Sequence, residues 1–152
     1  MPSSTHQWLV IWAARRMTRD GFVVSGFDGR APRGEEWSSL PSPFVFQGVR
    51  ADAWGQRTLD QKLAFGEAKT FSDVDTDHTR RQLDVLGKTR MKKAKAYCPL
   101  YIAVPRSAVY ELDRVLIDVG LLRAKNVVRL HIPDILVEEV AHGSRQTYCT
   151  PA

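Results

Sequence analysis

The chain is 152 residues long and carries 22 Lys and Arg against 17 Asp and Glu, a formal net charge of +5. Such a length allows one domain with a genuine core and little beyond it, and 43 % apolar with 26 % charged residues exclude a disordered chain. The longest apolar run, at 9–14, is far too short for a membrane span, the N-terminus lacks a secretory pattern, and Cys98 and Cys149 make neither a disulfide framework nor a C-x-x-C zinc pair; a cytoplasmic protein without membrane contact is expected.

In chain order, Ser3-Ser4 offers an N-cap for a helix over 5–19, which ends in Arg15, Arg16 and Arg19 and is closed by Asp20-Gly21. A short strand over 22–27 runs into Asp28-Gly29, and the Gly-, Pro- and Ser-rich stretch 29–43 reads as a loop. Residues 44–54 alternate like a strand, 55–60 read as a turn, and 62–70 as the returning strand of a hairpin. A helix is expected over 76–97, a strand over 99–104, a helix from Ser107 to 119 closed by Gly120, and a last strand over 127–132. The tail after His142 has no pattern. A strand-helix-strand unit of this length implies a parallel pair with a right-handed crossover. The expectation is therefore a single α/β domain over 1–152, with a mixed sheet flanked by helices on both faces.

In the hairpin, Glu67-Ala68-Lys69 puts an acid and a lysine two apart, on one side of a strand whose side chains alternate. Asp52 lies near the end of the partner strand, folded back towards Glu67 by a short turn. Two close carboxylates repel and raise one another's pKa unless a cation sits between them, and Mg²⁺ is a hard ion suited to carboxylate and carbonyl oxygens. Such an ion polarises a phosphate and activates water, with Lys69 able to orient the nucleophile or stabilise developing charge. The other acid-x-Lys triplet, Asp60-Gln61-Lys62, sits at the turn without an upstream acid beside it. The plain alternative is a Glu67–Lys69 pair on the solvent face of an ordinary hairpin.

With Asp52, Glu67 and Lys69 in this order of elements, the chain resembles the PD-(D/E)XK nuclease superfamily, restriction endonuclease-like and Holliday junction resolvase-like. The match runs from about residue 5 to residue 104. The resemblance implies an αβββαβ core followed by an αβ extension. It further implies that Asp52, Glu67 and the Ala68 carbonyl hold Mg²⁺ (Mn²⁺ as substitute), that Lys69 assists attack on the phosphodiester, and that Gln82 supports the site from the following helix. Ala51 stands where the family's name has Pro, and the first helix lacks the Glu that members often carry there. Asp20 at its end, or Glu35 or Glu36 in the loop, are the substitutes within reach.

Residues 76–95 hold seven basic side chains against two acidic ones, a net of +5, so the whole excess belongs to this segment. On a continuous helix Arg81, Lys88, Lys92 and Lys95 share one narrow sector, opposite Leu83, Leu86, Ala94 and Tyr97. In isolation that is a solvated face; beside a phosphodiester-cleaving site it reads as a surface that tracks phosphates. Asp73, Asp75, Asp77 and His78 read as an acidic, capped helix entry rather than an accessory metal site, and His6, His131 and His142 as surface or core. Cys98 reads as a small buried hydrophobe, and Trp8 and Trp12 as core. No phosphate-cradling glycine loop is present, so no nucleotide cofactor is expected. The expected function is a Mg²⁺-dependent endodeoxyribonuclease in repair, recombination or defence, acting on DNA as a homodimer through the first helix and the 127–140 segment. The alternative is a catalytically weak or inactive nucleic-acid-binding module, or an assembly subunit, of the same fold.

Overall fold

A computed structural model describes residues 3–29, 36–93 and 95–141. Helix α1 (Ser4–Arg19) begins as expected: Ser3 is extended and its Oγ accepts the His6 N–H at 3.1 Å, satisfying a donor that the first turn leaves open. Leu9, Val10, Ala13, Ala14 and Met17 recur at helical spacing and are buried against the sheet. Strand β1 (Phe22–Phe27) follows, then a 3₁₀ turn (Glu36–Ser39) whose Trp37 stacks on Phe27 with ring centroids 5.9 Å apart.

Next come β2 (Val45–Phe46), β3 (Val49–Arg50), β4 (Ala53–Arg57) and β5 (Leu63–Ala68). Helices α2 (Phe71–Val74) and α3 (Asp77–Gly87) lead to β6 (Leu100–Pro105), α4 (Val109–Asp118) to β7 (Val127–Ile132), and α5 (Asp134–Ala141) packs beside α1. The sheet has five strands in the order β1-β4-β5-β6-β7. β1, β4 and β5 are antiparallel neighbours, whereas β5, β6 and β7 run parallel. This is the expected α/β architecture, a mixed sheet flanked by helices.

All six residues of β6 are buried, because each face of the sheet is covered. Tyr101 and Ala103 face the α1 layer, while Leu100, Ile102 and Val104 face α3 and α4. β5 alternates the same way, with Ala64 and Ala68 towards α1 and Phe65 towards α3. Gly66 lies under α1, where a Cβ would stand 3.1 Å from Met17 Sδ. Glu67, two residues from Phe65, therefore points to the α3 side.

Several expected boundaries are corrected. The strand expected over 44–54 is interrupted by its own tight turn at Gln47 and Gly48, both with positive φ (50° and 80°), so β2 and β3 form a separate two-stranded hairpin. Asp52 consequently sits in the bend before β4, far from the β4–β5 turn rather than beside it. That turn is also later than 55–60, since β4 runs to Arg57 and an Arg57–Asp60 ion pair of 2.8 Å closes the connection. The helix expected over 76–97 stops at Gly87, whose added Cβ would meet Leu121 Cδ1 at 2.5 Å. Asn126 Nδ2 donates to the Gly87 carbonyl at 2.9 Å and to Cys98 O at 3.0 Å, so a side chain from another element takes up the helix end. Beyond it the chain doubles back: Arg90 bridges Tyr97, Met91 N–H donates to Ala96 O at 2.8 Å, and Lys95 has φ 55°.

Ser107 does not cap α4; its N–H donates to Asp134 Oδ1 at 2.8 Å and its hydroxyl to the other oxygen of that carboxylate, tying the start of α5 to the end of β6. Gly120, at φ 76°, does follow α4 as expected. The apolar face of α1 is spent on the core and is not a free dimer surface. Of the expected loop over 29–43, residues 30–35 lie outside the described residues, as do 142–152. Among the described residues no helix is long and apolar enough to cross a membrane.

Candidate active site

The end of β5 gathers side chains from five separate segments. Ala53 pairs with Gly66 in the β4–β5 ladder, and the Asp52 N–H extends it by donating to Gly66 O at 3.0 Å. The Asp52 carboxylate then folds onto β5, where Oδ2 accepts the Ala68 N–H at 2.8 Å. Lys69 N–H donates to Ala103 O at 3.1 Å, holding the end of β5 against β6. Its Nζ lies 3.9 Å from Glu67 Oε1 and donates to Gln82 Oε1. Gln82 is fixed by the start of α3: Thr76 Oγ1 accepts the Thr79 N–H at 3.1 Å, and Thr79 Oγ1 donates to Asp73 O at 2.7 Å. Asp52, Glu67, Lys69 and Gln82 are thus brought together as expected. Glu67 is 1 % exposed and the other three 8 % each, which removes the solvent-face alternative.

A fifth member is His6, expected from the sequence only as surface or core. His6, in the first turn of α1, donates from Nε2 to Asp52 Oδ2 at 3.2 Å. Burial works against a charged imidazole there, but the hydrogen bond and charge of Asp52 outweigh it and hold the His6 pKa above its ordinary value. Burial likewise opposes the Asp52 carboxylate, and its hydrogen bonds, first with His6, bring its pKa below the usual range. Glu67 goes the other way: complete burial, then the neighbouring Asp52 charge, push its carboxyl well above the usual range. The two carboxyls are thus pushed in opposite directions, Asp52 towards its ionised form and Glu67 towards its protonated form, as neighbouring buried carboxyls are. Asp28, directly after β1, is an acid with no assigned role in the sequence: its N–H donates to Asp52 O at 2.8 Å, its carboxylate is paired with Arg50 at 3.0 Å, and its charge acts on both His6 and Glu67.

The remaining candidates separate. Asp20 caps the far end of α1 and accepts from Tyr101 Oη at 2.7 Å, about 20 Å along the helix from His6, so it does not replace a first-helix acid. Glu35 and the Glu36 side chain lie outside what the structure describes. Asp75 is bound by Arg80 at 2.7 Å and Arg114 at 2.8 Å, and Asp73 accepts from Thr70 Oγ1 at 2.8 Å, in keeping with a capped helix entry. Arg81 stands on α3 over the Gly48 turn, Lys88 caps α3 in a 2.6 Å pair with Asp84, and Lys92 and Lys95 lie in the loop beyond. These four basic residues do not share a helix face. Cys98 is buried as expected, Trp8 and Trp12 pack against the core, His131 is on edge strand β7, and His142 is outside the described residues.

The residues present supply part of a donor set for a divalent cation. Among the described residues no group of three or more His, Cys, Asp or Glu side chains is arranged to hold a metal ion. The two carboxyls of Asp52 and Glu67 nevertheless adjoin, and Glu67 Oε2 is buried without a hydrogen-bond partner. A buried oxygen in that state costs free energy unless something else binds it, and a hard cation is suited to two carboxylates, a carbonyl and water. Comparisons with protein-family models, with curated proteins and with solved structures give no match.

Proposed function

We propose that the chain is a Mg²⁺-dependent endodeoxyribonuclease with a restriction endonuclease-like core, formed by α1, β1, β4, β5, α3 and β6 with the β2–β3 hairpin inserted. The observation that carries this reading is the convergence of Asp52, Glu67, Lys69 and Gln82 in one buried cluster at the end of β5. Burying four polar side chains that a solvent-exposed hairpin would leave hydrated costs several kcal/mol, and a reactive site is one reason to retain them. Asp52, Glu67 and the Ala68 carbonyl would hold the ion, Mn²⁺ serving as substitute. The chemistry it supplies when bound is polarisation of a phosphate oxygen and a lower pKa for water. Lys69, steered by Gln82, stabilises the negative charge that develops on the phosphate or orients the attacking water. In the chain alone, the hydrogen bond from His6 to Asp52 and the upward shift of the Glu67 carboxyl both reduce the repulsion between the two acids.

Duplex cleavage requires two such sites, so the enzyme works as a homodimer on DNA, with β7 at the edge of the sheet among the described residues as a surface for pairing between copies. The test is incubation with linear, supercoiled, single-stranded and branched DNA, in Mg²⁺ or EDTA, beside Lys69→Ala. Cleavage that needs Mg²⁺ and Lys69 is expected; cleavage that persists in EDTA or in the variant overturns the mechanism. A non-catalytic nucleic-acid-binding module or assembly subunit is the second reading. It is favoured by His6, a potential cation, facing Asp52 from the helix where a further acid is expected. DNA binding without cleavage would select it.

A further inference from the structure

Away from the acidic cluster, the β2–β3 hairpin, the start of β5 and the loop after α3 enclose a cavity of about 890 Å³. Its walls are apolar and largely aromatic: Phe44, Phe46, Phe65, Leu63 and Met91. Phe46 stacks on Phe65 with centroids 6.4 Å apart, and Phe44 meets Trp54 edge-on at 5.2 Å while remaining 43 % exposed. The cavity thus has a fixed aromatic floor and a partly exposed aromatic ring at its wall. Its rim carries Lys62, Lys92 and Lys93, none of which is ion-paired with a described residue. The rim acid Asp60 is already bound by Arg57 at 2.8 Å, and Arg90 lies over the Tyr97 ring at 4.6 Å. Net positive charge around an aromatic slot fits a ligand with a flat apolar body and an anionic group beside it.

We propose that this cavity binds one unpaired nucleotide of a nucleic-acid strand, its base against Phe44 and Phe46 and its phosphate among Lys62, Lys92 and Lys93. In a duplex the base faces are already stacked, so only an unpaired base can enter. Phe65 and Glu67 share one face of β5 and lie about 7 Å apart along the strand, so the nucleotide sits next to the cluster at the β5 end. That adjacency rests on the nuclease reading for its meaning, whereas the binding itself does not. The site makes the preferred substrate a strand with a gap, flap or single-stranded branch.

Anisotropy of a labelled thymidine dodecamer, of the same oligomer with abasic sugars, and of the uridine dodecamer, all with the full chain in EDTA, tests the proposal. The base-bearing DNA should bind at least about fivefold tighter than the abasic one. Phe44→Leu, which keeps an apolar side chain but removes the ring, should shrink that ratio at least threefold while Lys92→Ala/Lys93→Ala weakens both oligomers and lowers the salt slope by about 1.4. Equal affinity of the wild type for the base-bearing and abasic oligomers overturns the proposal, as does an unchanged ratio in folded Phe44→Leu. Tighter uridine binding that is lost in Phe44→Leu supports the pocket and assigns it to RNA. Base preference that depends on Phe44 in a chain that cleaves nothing supports the pocket and removes the nuclease. Cleavage that needs Lys69 together with no base preference removes the pocket and leaves the nuclease standing.

Discussion

The two ends of β5 carry charge in opposite ways. At the Ala68 end, Asp52, Glu67, Lys69 and Gln82 are buried together, and the half-buried His6 reaches Asp52 from α1. At the Leu63 end, Lys62 and the loop after α3, whose lysines are clustered in sequence, line an open cavity. Buried charge is costly unless each group has a partner, so its geometry is fixed by the surrounding fold. Solvated charge needs no partner, and the basic segment can leave the helix without loss. The same residue class is therefore held by partners at one end of the strand and left to solvent at the other.

The sharpest way to break this contrast is at Lys69. Replacing it by Met keeps the bulk and removes the charge, and Mg²⁺-dependent cleavage should fall on the order of 10²–10³-fold in a gel or fluorescence assay. Removal of a rim lysine such as Lys92 should leave the turnover of saturating substrate within a factor of a few. Comparable losses at the two ends would show that the distinction between buried machinery and solvated field is wrong.

Glu67→Gln sharpens the comparison through stability. Glu67 keeps its proton in the folded chain at pH values where the unfolded chain has lost it, so stability falls as pH climbs from the ordinary 4.5 towards the raised folded value. Asp52 works oppositely, adding stability above its ordinary 3.8 that is lost as pH falls through its lowered folded value. The Gln variant lacks only the first effect. Without divalent ions its Tm should exceed the wild type's by about 2–4 °C at pH 7, and the two should converge near pH 4. Adding Mg²⁺ should raise the wild-type Tm and leave the variant nearly unmoved, because binding to the folded state alone stabilises it by mass action. Identical pH profiles for the two chains would show that Glu67 is not destabilised by its burial.

How much of this was legible in the sequence follows the same division. Glu67 and Lys69 are readable because alternation along a strand fixes their common side, whereas Gln82 follows only from the resemblance to the nuclease superfamily. Asp52 was assigned to the right neighbour for the wrong reason: Gln47-Gly48 cuts the expected strand, and the acid reaches Glu67 from the bend before β4. His6 left no signal, since a lone histidine in a first turn has no spacing to reveal which strand its helix crosses. Asp28 did sit at a recognised strand end, and an acid directly after an edge strand could have been noted as facing the next chain segment. The helix over 76–97 misled because helical periodicity continues through Gly87, and only tertiary contact with Leu121 and Asn126 reveals the stop.

Gly87→Ala tests that stop directly. A methyl there would meet Leu121 Cδ1 at 2.5 Å, so the helix end or the α4–β7 connection must shift, at a cost of about 1–3 kcal/mol readable in a urea midpoint. Gly87 closes α3 five residues beyond Gln82, on the same side of the sheet as the acidic cluster but about 7.5 Å further along the helix, so the Mg²⁺-induced rise in Tm should survive in the variant. A neutral substitution would mean that Leu121 yields and that packing at Gly87 does not set the helix boundary.

The smallest effect separates two lysines that the sequence treats alike. Lys88 follows α3 and is 2.6 Å from Asp84, one turn earlier, where both the ion pair and the negative end of the helix dipole favour its charge. Lys92 stands in the loop with no described ion-pair partner. A phosphate contact releases counterions from DNA, worth about 0.9 in the log–log salt slope for each lysine engaged, and a lysine held by its own carboxylate engages less. Lys92→Ala should therefore lower the slope for duplex DNA by about 0.9 and Lys88→Ala by clearly less. Asp84→Asn should steepen it, by releasing Lys88. Equal slopes for the two lysine variants, with no change in Asp84→Asn, would show that both lysines meet DNA from one surface, as a continuous helix would have arranged them.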